Sequence, residues 1–239
     1  MNAKIINNLF EFWEQIGTSA HCFKKEIGFK LTMPENNSWP SKIFSLNPLT
    51  IDLKDLRNRI QNSELPNAIG VVEEENTNQI LVKHHFKKTS IVKAMSLNIS
   101  QLEKPTINFD NIKQIETDEE ACHFAEIATK SFGYVVSPKI IKAIIKESNI
   151  KMFLGKLENE YASCGMIYLD KNGESGIHMI GTLDNFRGFG LGKTMTQKLI
   201  SEAFKNNSDY VFLVASKLGE PIYTKLGFQT FGALATYTV

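Results

Sequence analysis

Apolar residues along the 239-residue chain alternate between two periods, and the changes of period mark its elements. Leu9, Phe12, Trp13 and Ile16 recur at helical spacing, which predicts an amphipathic helix with an aromatic face, closed by Gly17. His21 to Lys30 reads as a short strand or a pair of turns. Met33 to Pro40 is polar and proline-punctuated, and so predicts a loop leading into a strand over Lys42–Leu46. Leu53, Leu56 and Ile60 predict a short helix, and Ala68–Val72 a strand. Leu81–Phe86 and Ile91–Leu97 read as two strands of a hairpin joined by Lys87-Lys88-Thr89.

In the second half the pattern predicts a strand around Ile112–Ile115. A helix through Ala121, Phe124, Ala125 and Ala128 follows and stops near Gly133. Ser137-Pro138 starts another, with Ile140, Ile141, Ile144 and Ile145 as its buried face. Strands are expected at Met152–Leu157, Ala162–Leu169 and Gly176–Leu183. Leu191, Met195, Leu199 and Ala203 then make one stripe of a helix, and Tyr210–Ala215 is an unbroken apolar strand. A short helix within Ser216–Leu226 and two short strands over Gln229–Val239 complete the expectation. The polar, proline-containing stretch Gln101–Thr106 divides the chain into domains 1–105 and 106–239 of mixed α/β character.

Composition narrows the classes. Apolar residues at 42% and charged residues at 22% fit an ordinary globular protein. With 27 Lys and Arg against 26 Asp and Glu, no global charge draws the chain to nucleic acid. Cys22, Cys122 and Cys164 are far apart and form no Cys-x-x-Cys, so they read as reduced thiols, with a reactive thiol as the alternative. No apolar run reaches the ~18–20 residues that cross a bilayer, and no export pattern opens the chain, so a cytoplasmic protein without membrane partners is expected. His84-His85 point to opposite faces of a strand with no third ligand nearby, and no metal is expected.

The stretch with the most chemistry is Asp184-Asn-Phe-Arg-Gly-Phe-Gly-Leu-Gly-Lys193. Gly188, Gly190 and Gly192 clear side chains from a turn that opens a helix, where unpaired amides can hold a phosphate. A phosphate-binding loop of the Gly-x-x-x-x-Gly-Lys-Thr type would need glycine where Arg187 stands, and a dinucleotide fingerprint would need other spacing and an earlier strand. A tight turn with no ligand remains open on the glycines alone. Trp39 either plugs its own core or lines a cleft between the halves.

Arg187-x-x-Gly190-x-Gly192 after a strand, the strand ending Ala215-Ser216 and the tail Pro221-Ile-Tyr223-Thr-Lys-Leu-Gly-Phe228 together resemble the GNAT superfamily of acyl-CoA-dependent N-acyltransferases. The resemblance covers residues 107–239. The first half is similar to the degenerate N-terminal domain of two-domain members, on its Trp-Pro loop, Leu-Pro dipeptide and Ala94–Leu97 strand. It implies a mixed twisted sheet flanked by helices, preceded by a smaller GNAT-like domain. Acetyl-CoA would be the cosubstrate, held by Arg187, Gly188, Phe189, Gly190, Leu191, Gly192 and Lys193 at its diphosphate, by Thr182 and Leu183 along its pantetheine, and beside Ser216. Asp184 stands where the family often has proline.

The implied activity is transfer of an acetyl group to a primary amine of a small molecule, amino acid or peptide by direct attack. A regulator that binds acetyl-CoA without turnover is the alternative, and a P-loop nucleotide-binding protein a more distant one. An amide near Gly181 or Thr182 would polarise the carbonyl, and Tyr223 would return a proton to the thiolate. His178 is the candidate base, with Glu174 behind it, and strand alternation places Ile180 and Thr182 on its face, opposite Met179. A structural His178, or water in place of any base, stays open. Phe132, Tyr134, Tyr237 and Trp39 are candidate acceptor walls. Either a monomer or a homodimer is compatible.

Overall fold

A computed structural model describes all residues, Met1 to Val239. Helix α1 (Asn2–Ser19) buries Leu9, Phe12, Trp13 and Ile16 as their spacing requires, and it runs through Gly17 rather than stopping there. Gly17 is needed for proximity, since a Cβ at that position would lie 2.4 Å from Thr32 Cγ2. The chain continues through β1 (Phe23–Glu26), β2 (Phe29–Thr32), β3 (Lys42–Phe44), α2 (Leu53–Gln61), β4 (Ile69–Val72), α3 (Glu75–Lys83) and β5 (Lys87–Asn98). After the 101–106 stretch come β6 (Ile112–Gln114), α4 (Asp118–Phe132), α5 (Pro138–Ile144), β7 (Ile150–Leu157), β8 (Glu160–Leu169) and β9 (Ser175–Thr182). The last elements are α6 (Leu191–Lys205), β10 (Tyr210–Ala215), α7 (Glu220–Lys225) and β11 (Gln229–Thr238).

Two element assignments change. Leu81 is wholly buried within helix α3, because a short apolar run fits one turn of helix as well as a strand. Lys87 to Thr89 are consequently the start of β5 and not a hairpin turn. The end of the chain is one strand, β11, whose register shifts between Thr230 and Gly232, so the glycine there accompanies a bulge and not a break.

All eleven strands join one sheet in the order β1-β2-β3-β4-β11-β5-β10-β9-β8-β7-β6. Read from either end, antiparallel strands lead to a single parallel pair, β3 with β4 in one half and β9 with β10 in the other. At the centre the halves exchange strands: β5 pairs with β10 and β11 pairs with β4, and β5 and β11 pair with each other. Neither half therefore closes its sheet alone.

Side chains of one sheet face pack with α1, α4 and α5 in a core that includes Phe12, Phe124, Ile141, Met166, Phe212 and Leu234. On the other face α6 covers Ile177, Val211 and Leu213, while α2 and α3 cover Ile43, Ile69, Ala235 and Tyr237. Helix α1 crosses from one half to the other, and Asn8 Nδ2 donates to Asp170 Oδ2 at 3.0 Å. The α4 start is a capping box, Thr117 with Glu120.

Glu202 fastens α6 to the sheet. Its carboxylate receives Lys205 at 2.6 Å, Lys198 at 2.9 Å and Lys151 of β7 at 3.1 Å. Burial pushes this carboxyl up, but the three lysine hydrogen bonds outweigh it and hold its pKa at about 2. A depressed folded pKa contributes stability that is complete above the ordinary value of 4.5 and is lost as pH falls toward about 2. Glu202→Gln should thus cost about 1–2 kcal/mol at pH 7 after solvent screening, with the difference from wild type shrinking below pH 4.5 in urea unfolding. A difference that stays constant down to pH 2.5 would show that the carboxylate does not act through its charge.

Candidate active site

Strands β9 and β10 hydrogen-bond only at Val211 with Ser175 and Phe212 with Gly176, although β10 stays paired with β5 to Ala215. Beyond those two pairs they part. The opening is a cleft of about 920 Å³ that passes through the sheet, from the α6 and α7 side to the α1 side. Most of the residues expected at a site line it: Thr182, Arg187, Gly188, Gly190, Leu191, Gly192, Lys193, Ser216, Tyr223 and His178. Leu183 and Phe189 do not; Leu183 packs against the α1-side core, and the Phe189 ring is 67% exposed.

The glycine turn is shaped as an anion cradle. Gly188 and Gly190 have φ of 90° and 80°, and a Cβ on either would meet nothing within 4 Å, so their surroundings are open. Gly190 is the N-cap of α6, and Thr194 N is the first amide to bond back, to Gly190 O at 3.0 Å. The amides of Leu191, Gly192 and Lys193 therefore lack helical partners and join the positive end of the helix dipole. Alternating left-handed glycines also converge neighbouring amides into a nest. Arg187 at the turn's start pairs with Asp184 at 2.8 Å. The glycines, free amides and cations together fit a diphosphate.

The face assignments along β9 differ from strict alternation. Gly165 of β8 stands alone opposite Met179 and Ile180, a bulge in which Met179 takes φ of 53°. Met179 consequently joins His178 on the α1 side, while Ile180 packs toward α6, and Gly181 faces Ser131 of α4. Ile180 and Thr182 are thus not on the face of His178, as period-two alternation would have it. One extra residue reverses the order of every side chain after it.

His178 lies against Phe12 with ring centroids 4.0 Å apart and planes 8° from parallel. Burial drives its pKa down to about 3, so it is uncharged at neutral pH and far too weak a base to hold an amine's proton. Its Nε2 has no hydrogen-bond partner, nor does Asn8 Oδ1, and a Cβ on Gly176 would meet both. Glu174 is at the opposite end of β9, where its carboxylate accepts from Tyr210 N at 2.7 Å, and it is not part of the cleft.

Tyr223 reaches the cleft from α7, with its ring edge-on to Phe228 at 5.9 Å. Burial raises its pKa to about 12, which keeps the phenol protonated. On the other side of the sheet Phe132, Tyr134 and Trp39 do line the cleft, and Tyr134 Oη approaches Met179 Sδ at 3.8 Å. Trp39 is fixed there by its amide, which donates to Val135 O at 2.8 Å, and by Ser38 Oγ, which accepts from Ser137 N at 2.8 Å. Tyr237 is excluded, being fully buried in the α2 and α3 core with its hydroxyl on Asn78 Oδ1 at 2.6 Å. Periodicity gave no hint of Phe12, Trp13 or Lys42 as lining residues, since all three read as ordinary core or strand positions.

No three His, Cys, Asp or Glu side chains are grouped to hold a metal ion, and no helix is long and apolar enough to cross a membrane. Cys164 is buried, with Sγ donating to Met179 O at 3.4 Å, and burial raises its pKa to about 12.

A family model for an acetyltransferase (GNAT) domain matches residues 113–235. Among solved structures, a GCN5-related N-acetyltransferase from Kribbella flavida superposes with a TM-score of 0.71 at 16% identity, over 94% of this chain and 92% of that one. A protein assigned to the GNAT family from Novosphingobium aromaticivorans gives 0.64 at 11% identity, over 95% and 94% of the two chains. A GCN5-related N-acetyltransferase from Sphaerobacter thermophilus gives 0.58 at 12% identity, over 88% and 76%. At such identities the likeness is one of fold, and with the first of them it extends into the first half. No curated protein sequence matches the chain.

The buried state of His178 can be read by proton NMR. Its imidazole should not titrate between pH 8 and pH 5, because its pKa is about 3. A midpoint near the ordinary value of 6.5 would mean that water reaches the ring and would restore it as a candidate base.

Proposed function

The chain belongs to the GNAT acetyltransferase family, whose domain model spans residues 113–235, and on that premise we propose that it moves an acetyl group from acetyl-CoA to a primary amine. The observation that carries this reading is the parting of β9 from β10 directly above the open glycine turn, with Tyr223 in the same cleft. When bound, acetyl-CoA supplies the acyl group as a thioester, whose C–S bond breaks as the new C–N bond forms.

The chain's own residues have three tasks in this reading. The backbone from Gly188 to Lys193 holds the diphosphate, with Arg187 and Lys193 adding positive charge. An amide at Gly181 or Thr182, just past the bulge, takes up charge developing on the carbonyl oxygen, a contribution of ~3–4 kcal/mol for a single donor. Tyr223 keeps its proton until the sulfur departs and then gives it to the thiolate. The amine's proton leaves to solvent on the α1 side, since His178 is too weak a base, and Phe12 and His178 instead form the floor on which the acceptor rests.

We read residues 1–105 as a smaller GNAT-like unit that lacks the anion cradle. In support, β3-α2-β4-α3-β5 repeats the order β9-α6-β10-α7-β11, with the parallel pairs and exchanged strands at matching places in the sheet. Its turn from Ser45 to Asp52 contains no glycine.

Gly190→Asp should abolish acetyl-CoA binding in calorimetry while lowering stability by only ~1 kcal/mol, because Asp tolerates the left-handed backbone and its Cβ meets open space. Retained affinity would remove the diphosphate from this turn. Tyr223→Phe should slow turnover by about a hundredfold or more and leave acetyl-CoA affinity as it was, measured by thiol release across an amine panel. Full turnover across pH would take the acid role from Tyr223, and tight acetyl-CoA binding with no amine acetylated would favour a regulator.

A further inference from the structure

The ionisable side chains lining the cleft are Lys42, His178, Arg187, Lys193, Tyr134 and Tyr223, and no Asp or Glu is among them. Arg187 and Lys193 belong to the turn on the α6 side, and His178 is neutral. Lys42 stands apart from these, on β3 in the first half. Phe44, two residues on, belongs to the α1-side core, and so does Leu234 of β11, two strands away, which places Lys42, Thr236 of β11 and Ser90 of β5 on that same face of the sheet. Ser41, Ser90 and Thr236 line the cleft there. Fourteen ion pairs fasten the molecule, and Lys42 takes part in none of them.

A half-buried ammonium without a counter-ion carries a desolvation cost, and burial lowers the pKa of Lys42. The cost is recovered if something that enters the cleft carries the missing negative charge. A second positive charge on the acceptor, as in a polyamine or a basic peptide, would meet only like charge and aromatic walls. One cation among neutral hydroxyls matches one carboxylate, whereas a phosphate monoester, at −1.5 to −2 near pH 7, asks for more than one.

Building on the acetyltransferase reading, we propose that the acceptor is an amine that also carries a carboxylate, an amino-acid-like molecule whose carboxylate pairs with Lys42 Nζ on the α1 side of the cleft. Lys42 is then a specificity residue supplied by the first half. Ser41, next to Lys42 in the chain, provides a hydroxyl for a remaining carboxylate lone pair, and Phe12 and Trp39 provide the apolar walls.

The test uses the full chain and matched acceptors: aliphatic and aromatic amino acids, their amides, a diamine and phosphoethanolamine. With acetyl-CoA and thiol detection, free acids should be acetylated in preference to amides and to the diamine. Lys42→Met should raise KM for the acids about tenfold or more and erase their advantage over the amides. Independently of turnover, N-acetyl amino acids should raise the melting temperature of the wild type more than their amides do, and Lys42→Met should abolish that difference. Preference for amides or the diamine, or an acid preference that survives Lys42→Met, overturns the proposal. So does equal protection by acid and amide. Phosphoethanolamine outperforming every amino acid would overturn the carboxylate assignment in favour of a phosphate. Calorimetry with acetyl-CoA separates the layers: no binding to wild type sinks the acetyltransferase reading itself, while binding without acid preference sinks only the role of Lys42.

Discussion

Two neighbouring strands that diverge leave main-chain groups without their ladder partners, and such groups must find water, another strand or a ligand. β9 and β10 diverge after two residue pairs, with β10 held in line by β5 and β9 held by β8. The separation is therefore enforced by their outer neighbours and does not depend on the occupant. The bulge at Met179 lies on the free edge this creates, and the glycine turn lies directly after it in the chain. The cleft, the bulge beside it and the open glycine turn thus follow from one departure from regular pairing.

What makes the departure affordable is packing from the other half. Helix α1 lays Leu9, Phe12 and Trp13 along the open side, and Phe12 covers the imidazole of His178. The Trp39 loop is bonded to the α4–α5 connection, so the α1 side of the cleft is built jointly by residues from before and after the 101–106 stretch. Strand exchange between β5 and β11 sets these walls in register with one another. The cleft is a property of the whole chain, even though its glycine turn, Ser216 and Tyr223 lie within residues 182–223.

Local features were readable where a local cause suffices. The α1 stripe, the Ser137-Pro138 start, the apolar β10 run and the glycine turn each carry their reason in adjacent residues, and each is found where its pattern places it. The bulge was not readable, because an extra residue leaves composition unchanged and shows only against the partner strand, here as Gly165 opposite two residues. Tyr237 looked like a wall because its strand does line the cleft through Leu234 and Thr236, but alternation turns the tyrosine into the opposite core. His178 was a candidate base on its ordinary pKa with a structural role left open, and burial beneath Phe12 favours the structural role. The isolation of Lys42 is a statement about what is missing around it, and no sequence pattern encodes that.

The exchanged strands also set a timetable for synthesis. When residues up to Asn98 have left the ribosome, β4 and β5 have between them the place of a strand that begins at Gln229, about 130 residues later. At ~5–20 residues per second the nascent chain waits on the order of ten seconds with the two edges that flank this gap bare. Pairing β4 directly with β5 in that interval would close the gap wrongly and shut β11 out. The topology thus leaves the strand edges that flank this gap without their native partner until the chain reaches Gln229.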